Sequence, residues 1–360
     1  MTIRAFGAPH RYIQGPGALG QLGPMLAIHG RRAFVVADRI VAGLLKDRLT
    51  AATSEHLDSI AFGDFGGECT AAEIDRMTAA AAAAGADVII GLGGGKAIDT
   101  AKGVRIARGG GLVIVPTIAS NDSPTSRLAI VYTADHVLSE VRLMATNPDA
   151  VIVDTDIIVQ APVRFFVAGI GDALSKKFEA EQCYRTGGLN FYKARPPELA
   201  LAIADRCYAI IREHGEAATS DVRAKATSDA VESVVEATIL MSGLGFESGG
   251  LSLAHSLTRG FSAIPELSAA LHGEQVAYGL LVQLVVEGRP AAFLSDFRSF
   301  YQRLGLPLKL ADMGFSGDVA AALQTIAART IAEAPYIRQI EVELDGMKLK
   351  AALERVEAGI

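Results

Sequence analysis

Cysteine is scarce: Cys69, Cys183 and Cys207 are the only three in 360 residues. Odd in number and widely spaced, they form neither a disulfide framework nor a zinc-finger spacing, and a reducing, cytoplasmic address is the expectation. Long apolar runs are missing too. The alanine-rich stretch 79–90 comes nearest, but Gly85 and Asp87 cut it far short of the ~20 residues a membrane span needs. No cleavable leader pattern opens the chain. Nor is there a basic excess: 34 Lys and Arg against 40 Asp and Glu give a formal charge of −6, whereas a nucleic-acid partner usually leaves a basic stripe. Internal repeats are absent, as is low-complexity sequence beyond the alanines. What remains is half apolar and about a fifth charged. That is the make-up of an ordinary globular protein, at a length that suits two domains better than one core.

The most informative stretch is Gly91-Leu92-Gly93-Gly94-Gly95-Lys96-Ala97-Ile98-Asp99-Thr100-Ala101-Lys102. It follows the apolar run Val88–Ile90, a predicted buried strand, and leads into a helical pattern. Consecutive glycines allow positive φ and a close backbone approach to a ligand. A helix N-terminus just beyond them offers unpaired N–H groups and partial positive charge, together a pyrophosphate site. Two familiar templates fit poorly: Ala97 stands where a P-loop needs Ser or Thr, and Lys96 where the dinucleotide fingerprint needs Gly. A tight strand-to-helix turn that binds nothing is the alternative, but three glycines exceed what such a turn requires.

Around this turn, strands alternate with helices. Strands are predicted at Ala33–Asp38, Asp58–Phe62, Val88–Ile90, Leu112–Val115, Leu128–Tyr132 and Val151–Val153, and helices at Val41–Thr53, Ala71–Ala84 and from the glycine turn to Ala107. Such alternation implies one parallel sheet covered on both faces, with ligands at the carboxyl ends of its strands. Asp38, Gly93–Lys96 and Pro116-Thr117 all fall at that edge. A carboxylate in the position of Asp38 can bond the ribose hydroxyls of a dinucleotide and repel a 2′-phosphate, or simply close its strand. The hydroxyl-rich loop from Pro116 to Ser126 is either solvated or a lip of the site, with Asp122 reaching a polar substrate. Asp154 to Pro162 marks a boundary, giving predicted domains 1–160 and 161–360. Beyond it only helices are predicted: Phe165–Cys183, Pro197–His214, Val222–Leu244, one opened by Gly249-Gly250-Leu251, and Leu271–Glu287. The second half is expected to pack beside the sheet with a cleft between them.

That half carries Asp172, His255 and His272 in apolar, helical surroundings. One carboxylate and two imidazoles, with positions left open, make a ligand set for a catalytic divalent ion. Taken singly, each is more simply a hydrogen-bonded core residue. No short motif links the three, so spacing does not show that they meet.

The chain resembles the metal-dependent glycerol dehydrogenases, within the wider iron-containing alcohol dehydrogenase group. The likeness runs to about Leu310 and rests on Phe65-Gly66-Gly67-Glu68-Cys69, Gly93-Gly94-Gly95-Lys96, Asp99-Thr100-Ala101-Lys102 and Pro116-Thr117-Ile118-Ala119-Ser120. It continues through Asp122 with Pro124-Thr125-Ser126, Ala168-Gly169-Ile170-Gly171-Asp172-Ala173-Leu174, Gly243 to Leu251, and His272-Gly273-Glu274. It implies an α/β fold: an N-terminal Rossmann-like parallel-sheet domain plus a C-terminal all-α helical domain, a dehydroquinate synthase-like architecture. It also implies NAD-dependent oxidation of glycerol, or a related vicinal diol, by hydride transfer from an alcohol held at a metal. Carried over by position, the metal ligands are Asp172, His255 and His272. The NAD contacts are Asp38, Gly94, Gly95, Lys96, Thr117, Ser120, Ser126, Leu128 and Tyr132. Asp122 takes the substrate hydroxyl and, with His255, makes up the catalytic set. Zinc is implied over iron, because the iron enzymes carry a His where this chain has Lys176. A homo-oligomer with a small polyol as its only other partner is implied, with neither nucleic acid nor membrane.

Three places depart from the family pattern: Thr258 and Arg338 where His-containing stretches are usual, and the basic run Ser175-Lys176-Lys177. If Lys176, Lys177 and Arg338 face the cleft, an anionic substrate such as a 2-hydroxy acid or glycerol phosphate becomes an alternative to a neutral diol; otherwise they point into solvent. A dehydroquinate-synthase-like lyase that uses NAD transiently is a rival of another class, though it needs a Lys and Arg cluster that is not evident here. A binding protein that has lost its chemistry is a third reading.

Overall fold

In the computed structural model, which describes residues 3–134 and 137–360, the apolar β-branched runs become strands. The sheet-forming part runs β1 (Tyr12–Gly15), α1 (Leu22–Ala27), β2 (Arg32–Ala37), α2 (Arg39–Thr53), β3 (Ser59–Asp64), α3 (Ala71–Ala83), β4 (Val88–Gly93), α4 (Gly95–Arg108) and β5 (Gly111–Pro116). It closes with β6 (Leu128–Tyr132), β7 (Leu138–Leu143) and β8 (Ala150–Asp154). Six of these strands form one all-parallel sheet in the order β1-β8-β5-β4-β2-β3. The inner strands β4, β5 and β8 are buried at every residue, as parallel strands covered on both faces must be. On one face, Leu22, Leu26, Leu45 and Leu49 pack over Val35, Ile90, Val113 and Ile152, each such side chain contributing about 1.5–3 kcal/mol of burial.

Three strands differ from the expectation: β6 pairs elsewhere, and β1 and β7 are additional. Leu128–Tyr132, predicted to complete the parallel sheet, pairs antiparallel with β7 in a separate two-stranded sheet. Its partner is half-buried or exposed at every residue, and one solvated face is a property of antiparallel pairs rather than of a central parallel strand. The edge strand β1, Tyr-Ile-Gln-Gly, is half-buried throughout and carries too short an apolar run to stand out in the sequence.

Helices follow: α5 (Thr155–Ile158), α6 (Val163–Arg185), α7 (Glu198–Arg223), α8 (Asp229–Val235), α9 (Ser242–Gly249), α10 (Leu253–Phe261), α11 (Pro265–Ser268), α12 (His272–Val286), α13 (Ala291–Leu304), α14 (Val319–Glu333) and α15 (Gly346–Ala358). By contacts the chain divides into two units. One comprises Gly7–Val163 with Asp221–Gly243, and the other Met1–Phe6, Arg164–Ser220 and Leu244–Ile360. The stretch expected as one helix over Val222–Leu244 is broken. Lys225 sits at φ 58°, Ser228 caps α8, and Glu236–Met241 continues as a π-helical turn. This segment belongs with the sheet unit, to which Gln14 ties it through the Glu232 carbonyl at 2.8 Å and carboxylate at 2.7 Å.

Candidate active site

The carboxyl edge of the sheet gathers most residues expected to bind a dinucleotide. Gly93 lies at φ 139°, in the region that favours glycine, and Gly94 caps α4. A Cβ on Gly94 would stand 2.7 Å from Ile118 Cδ1, and one on Gly95 2.9 Å from Asn121 Nδ2, so the turn nests tightly under the loop that follows β5. Lys96 reaches Glu68 at 2.7 Å and lies 5.8 Å from the Tyr132 ring centroid. Three stretches singled out in the sequence thus meet here. Asp38 caps α2 by accepting from the N–H groups of Ile40 and Val41, both at 2.9 Å. Thr117, Ser120 and Ser126 are buried along the loop, and Leu128 is buried at the start of β6. Asp122 is buried as well and accepts from Ser242 Oγ at 2.6 Å, a partner 120 residues away that no local pattern announced.

Beneath that loop lies a charged anchor. Lys102 is fully buried. Its Nζ donates to the carbonyls of Ser123 (2.7 Å) and Leu128 (2.5 Å) and to Asp99 Oδ1 (3.2 Å). The Asp99 carboxylate in turn accepts from Ser123 Oγ at 2.6 Å and from the Ile130 N–H at 3.2 Å.

In the helical unit, α6 presents Asp172, Lys176 and Glu179 at i, i+4 and i+7, one helical stripe. His255 stands in the first turn of α10 and His272 opens α12. Glycines allow that approach: a Cβ on Gly171 would lie 2.8 Å from the Gly273 carbonyl, and one on Gly273 only 1.9 Å from the Ala168 carbonyl. Gly273→Ala is therefore expected to force α6 and α12 apart and to cost more than ~3 kcal/mol. Urea unfolding reads this directly, and unchanged stability would mean that the helices can slide.

The three expected ligands do come together. His255 Nε2 is 3.3 Å and His272 Nε2 4.0 Å from Asp172 Oδ1, and the three donor atoms lie within 4.8 Å of one another. Glu179, not singled out in the sequence, holds the arrangement. Its Oε2 is 2.5 Å from His255 Nδ1, and its Oε1 accepts from the backbone N–H groups of Ser252 and His255. Accepting from Nδ1–H as the usual second partner of a ligating histidine, Glu179 fixes the ring so that Nε2 faces Asp172. Burial would raise the Asp172 carboxyl, but the Lys176 charge and the His255 hydrogen bond outweigh it and hold the group well below the usual carboxylate range. Glu179 is lowered too, its burial outweighed by His255. Desolvation pushes the His272 imidazole down to about 4, although nearly half of its side chain remains open; the ring is a neutral donor near pH 7. Asp172 Oδ2 is buried with no hydrogen-bond partner among the described residues. An anionic oxygen so placed, beside two imidazole nitrogens, fits a divalent ion of the zinc or iron type.

The basic run splits. Lys177 pairs with Asp205 and Glu181, and Arg338 is exposed. Lys176 does not reach solvent at all: it is buried, with Nζ 2.5 Å from Asp172 Oδ1 and 3.1 Å from His255 Nε2. Thr258 turns its hydroxyl onto the His255 carbonyl at 2.7 Å.

The chain is similar to known proteins in both sequence and fold. The family model for iron-containing alcohol dehydrogenase matches residues 9–155. A glycerol dehydrogenase of Escherichia coli O6:H1 is 38% identical over 94% of this chain and 92% of its own. A glycolaldehyde reductase of Halobacterium salinarum is 38% identical over 97% and 95%. The crystal structure of a probable glycerol dehydrogenase from Sinorhizobium meliloti 1021 matches with a TM-score of 0.92 and 40% identity over 99% of each chain. Similarity on this scale makes the chain an oxidoreductase enzyme. It belongs to the iron-containing alcohol dehydrogenase family.

Proposed function

We propose that the chain catalyses the NAD-dependent oxidation of a small polyol, glycerol or a related vicinal diol, to the hydroxyketone, with one divalent ion held by Asp172, His255 and His272. The observation that carries this reading is the buried, unpartnered Asp172 Oδ2 beside two imidazoles, one of them oriented by Glu179. Relatives named glycerol dehydrogenase at 36–40% identity support the substrate class. Lys176 in place of a further histidine favours zinc over iron. When bound, such an ion supplies a Lewis acid that makes an alcohol oxygen easier to deprotonate.

The remaining work falls to this chain's own groups. The alcohol carbon gives a hydride to NAD and its hydroxyl loses a proton, so ketone, NADH and one proton leave the cycle. Glu179 fixes the His255 tautomer and thereby the direction of its donor nitrogen. Asp122, steadied by Ser242 Oγ, accepts from a neighbouring hydroxyl and selects a diol over a simple alcohol. At the sheet edge, Gly94, Gly95 and Lys96 receive the pyrophosphate at the start of α4. Asp38 takes the ribose hydroxyls and disfavours NADP. Thr117, Ser120, Ser126, Leu128 and Tyr132 line the remainder. We place the enzyme in the cytoplasm as a homo-oligomer.

NADH formation from glycerol, propane-1,2-diol, glycerol phosphate and several 2-hydroxy acids, with and without a chelator, tests the proposal. The expected result is chelator-sensitive NADH from the neutral diols. NADH only from anionic substrates would replace the substrate class, and turnover without net NADH would bring the lyase reading forward.

A further inference from the structure

The α6 stripe holds a residue that the reaction above leaves unused. Lys176 is 1% exposed, and its Nζ touches two of the three atoms that would ligate a divalent ion, Asp172 Oδ1 and His255 Nε2. The Phe246 ring centroid lies 5.5 Å from the same nitrogen, an aromatic face within cation–π range. With its Nδ1 proton directed to Glu179, His255 keeps Nε2 facing both the Lys176 ammonium and Asp172 Oδ1. An ammonium therefore stands where a metal ion's charge would stand.

We propose that Lys176 is the site's own counter-cation: its ammonium takes the ligand position in the metal-free protein, must move aside for a divalent ion to enter, and so sets the metal affinity of this chain. The proposal rests on the reading of Asp172, His255 and His272 as ligands. Two cations cannot share Asp172 Oδ1 at contact distance in a buried site, where their repulsion is poorly screened. Conversely, without the ammonium the metal-free protein would hold an uncompensated buried carboxylate. Metal binding is then an exchange of one cation for another, and its affinity is a difference between the two. Asp172 Oδ2, which the ammonium leaves unpartnered, gives an incoming ion a first foothold before Lys176 withdraws.

Titration with cobalt(II), followed by its ligand-field absorption, tests this on the full-length wild type, Lys176→Met and Lys176→Gln. Both variants, checked for folding by circular dichroism, should bind cobalt about ten- to a hundredfold more tightly than wild type. The double variant Asp172→Asn/Lys176→Met should not bind it. A chelator should lower the melting temperature of cobalt-loaded Lys176→Met by more than it lowers that of cobalt-loaded wild type. Equal or weaker affinity in both Lys176 variants overturns the proposal and leaves the ligand set standing. Absence of cobalt binding in every chain overturns the proposal and the ligand reading together. The Gln variant carries the test if the Met variant does not fold.

Discussion

Asp172→Ala should destabilise the metal-free protein by about 3–5 kcal/mol, far more than the loss of a carboxylate from a surface helix. The size follows from what the substitution leaves behind. Asp172 and Lys176 are both 1% exposed along their side chains and pair at 2.5 Å, so removing the acid strands an ammonium in the helical unit. Glu179 does not take its place, because both its oxygens are committed to His255 and the start of α10. Urea unfolding in the presence of a chelator measures the cost. The double variant Asp172→Ala/Lys176→Met should recover most of it, since deleting both charges of a buried pair is often close to neutral. A single-variant cost below ~1 kcal/mol, the range of exposed pairs, would mean that Lys176 escapes to water and that the pair is not a buried one.

The Asp172 case also marks how far the sequence could be read. Strands β2, β4 and β5 were legible because burial on both faces of a parallel sheet demands unbroken apolar runs. β6 has the same kind of run, Leu-Ala-Ile-Val-Tyr, and the run alone does not say whether a strand enters the parallel sheet or pairs apart. The three ligands come from α6, α10 and α12, far apart in the chain, and composition gave no reason to join them; the family resemblance supplied the set. Glu179 did have a signal, an acid seven residues after Asp172 and hence on the same helical stripe, and that spacing could have marked it. Lys176 was harder. A lysine is almost never fully buried unless paired, so a place in solvent or facing a cleft was the natural expectation, and only the packing of α10 against α6 shows otherwise. Likewise the return of 221–243 to the sheet unit depends on Gln14, Thr125 and their partners on Glu232 and Ile239, tertiary pairings that have no local trace.

Lys102→Met should act on the other unit with similar force and with a functional signature of its own. Its ammonium holds the carbonyls of Ser123 and Leu128 together with Asp99, pinning onto α4 both ends of the segment that bears Ser126 and directly follows Asp122. Methionine fills the volume but donates nothing. Two carbonyls and a buried carboxylate then lose their common partner, and breaking such a pair costs about 3–5 kcal/mol. In the fraction that stays folded at low temperature, the loop is freed from α4, and NAD affinity should drop at least tenfold, about 1.4 kcal/mol, while the cobalt affinity of the helical unit stays as it was. Binding of NADH followed by its fluorescence, alongside cobalt titration, separates the two effects. Asp99→Asn/Lys102→Met should be more stable than Lys102→Met alone, because the stranded charge is gone. Lys102→Met with unaltered NAD affinity would show that the loop keeps its shape without the anchor, and the dinucleotide contacts assigned to Ser126 and Leu128 would then have to rest on backbone geometry rather than on this buried ammonium.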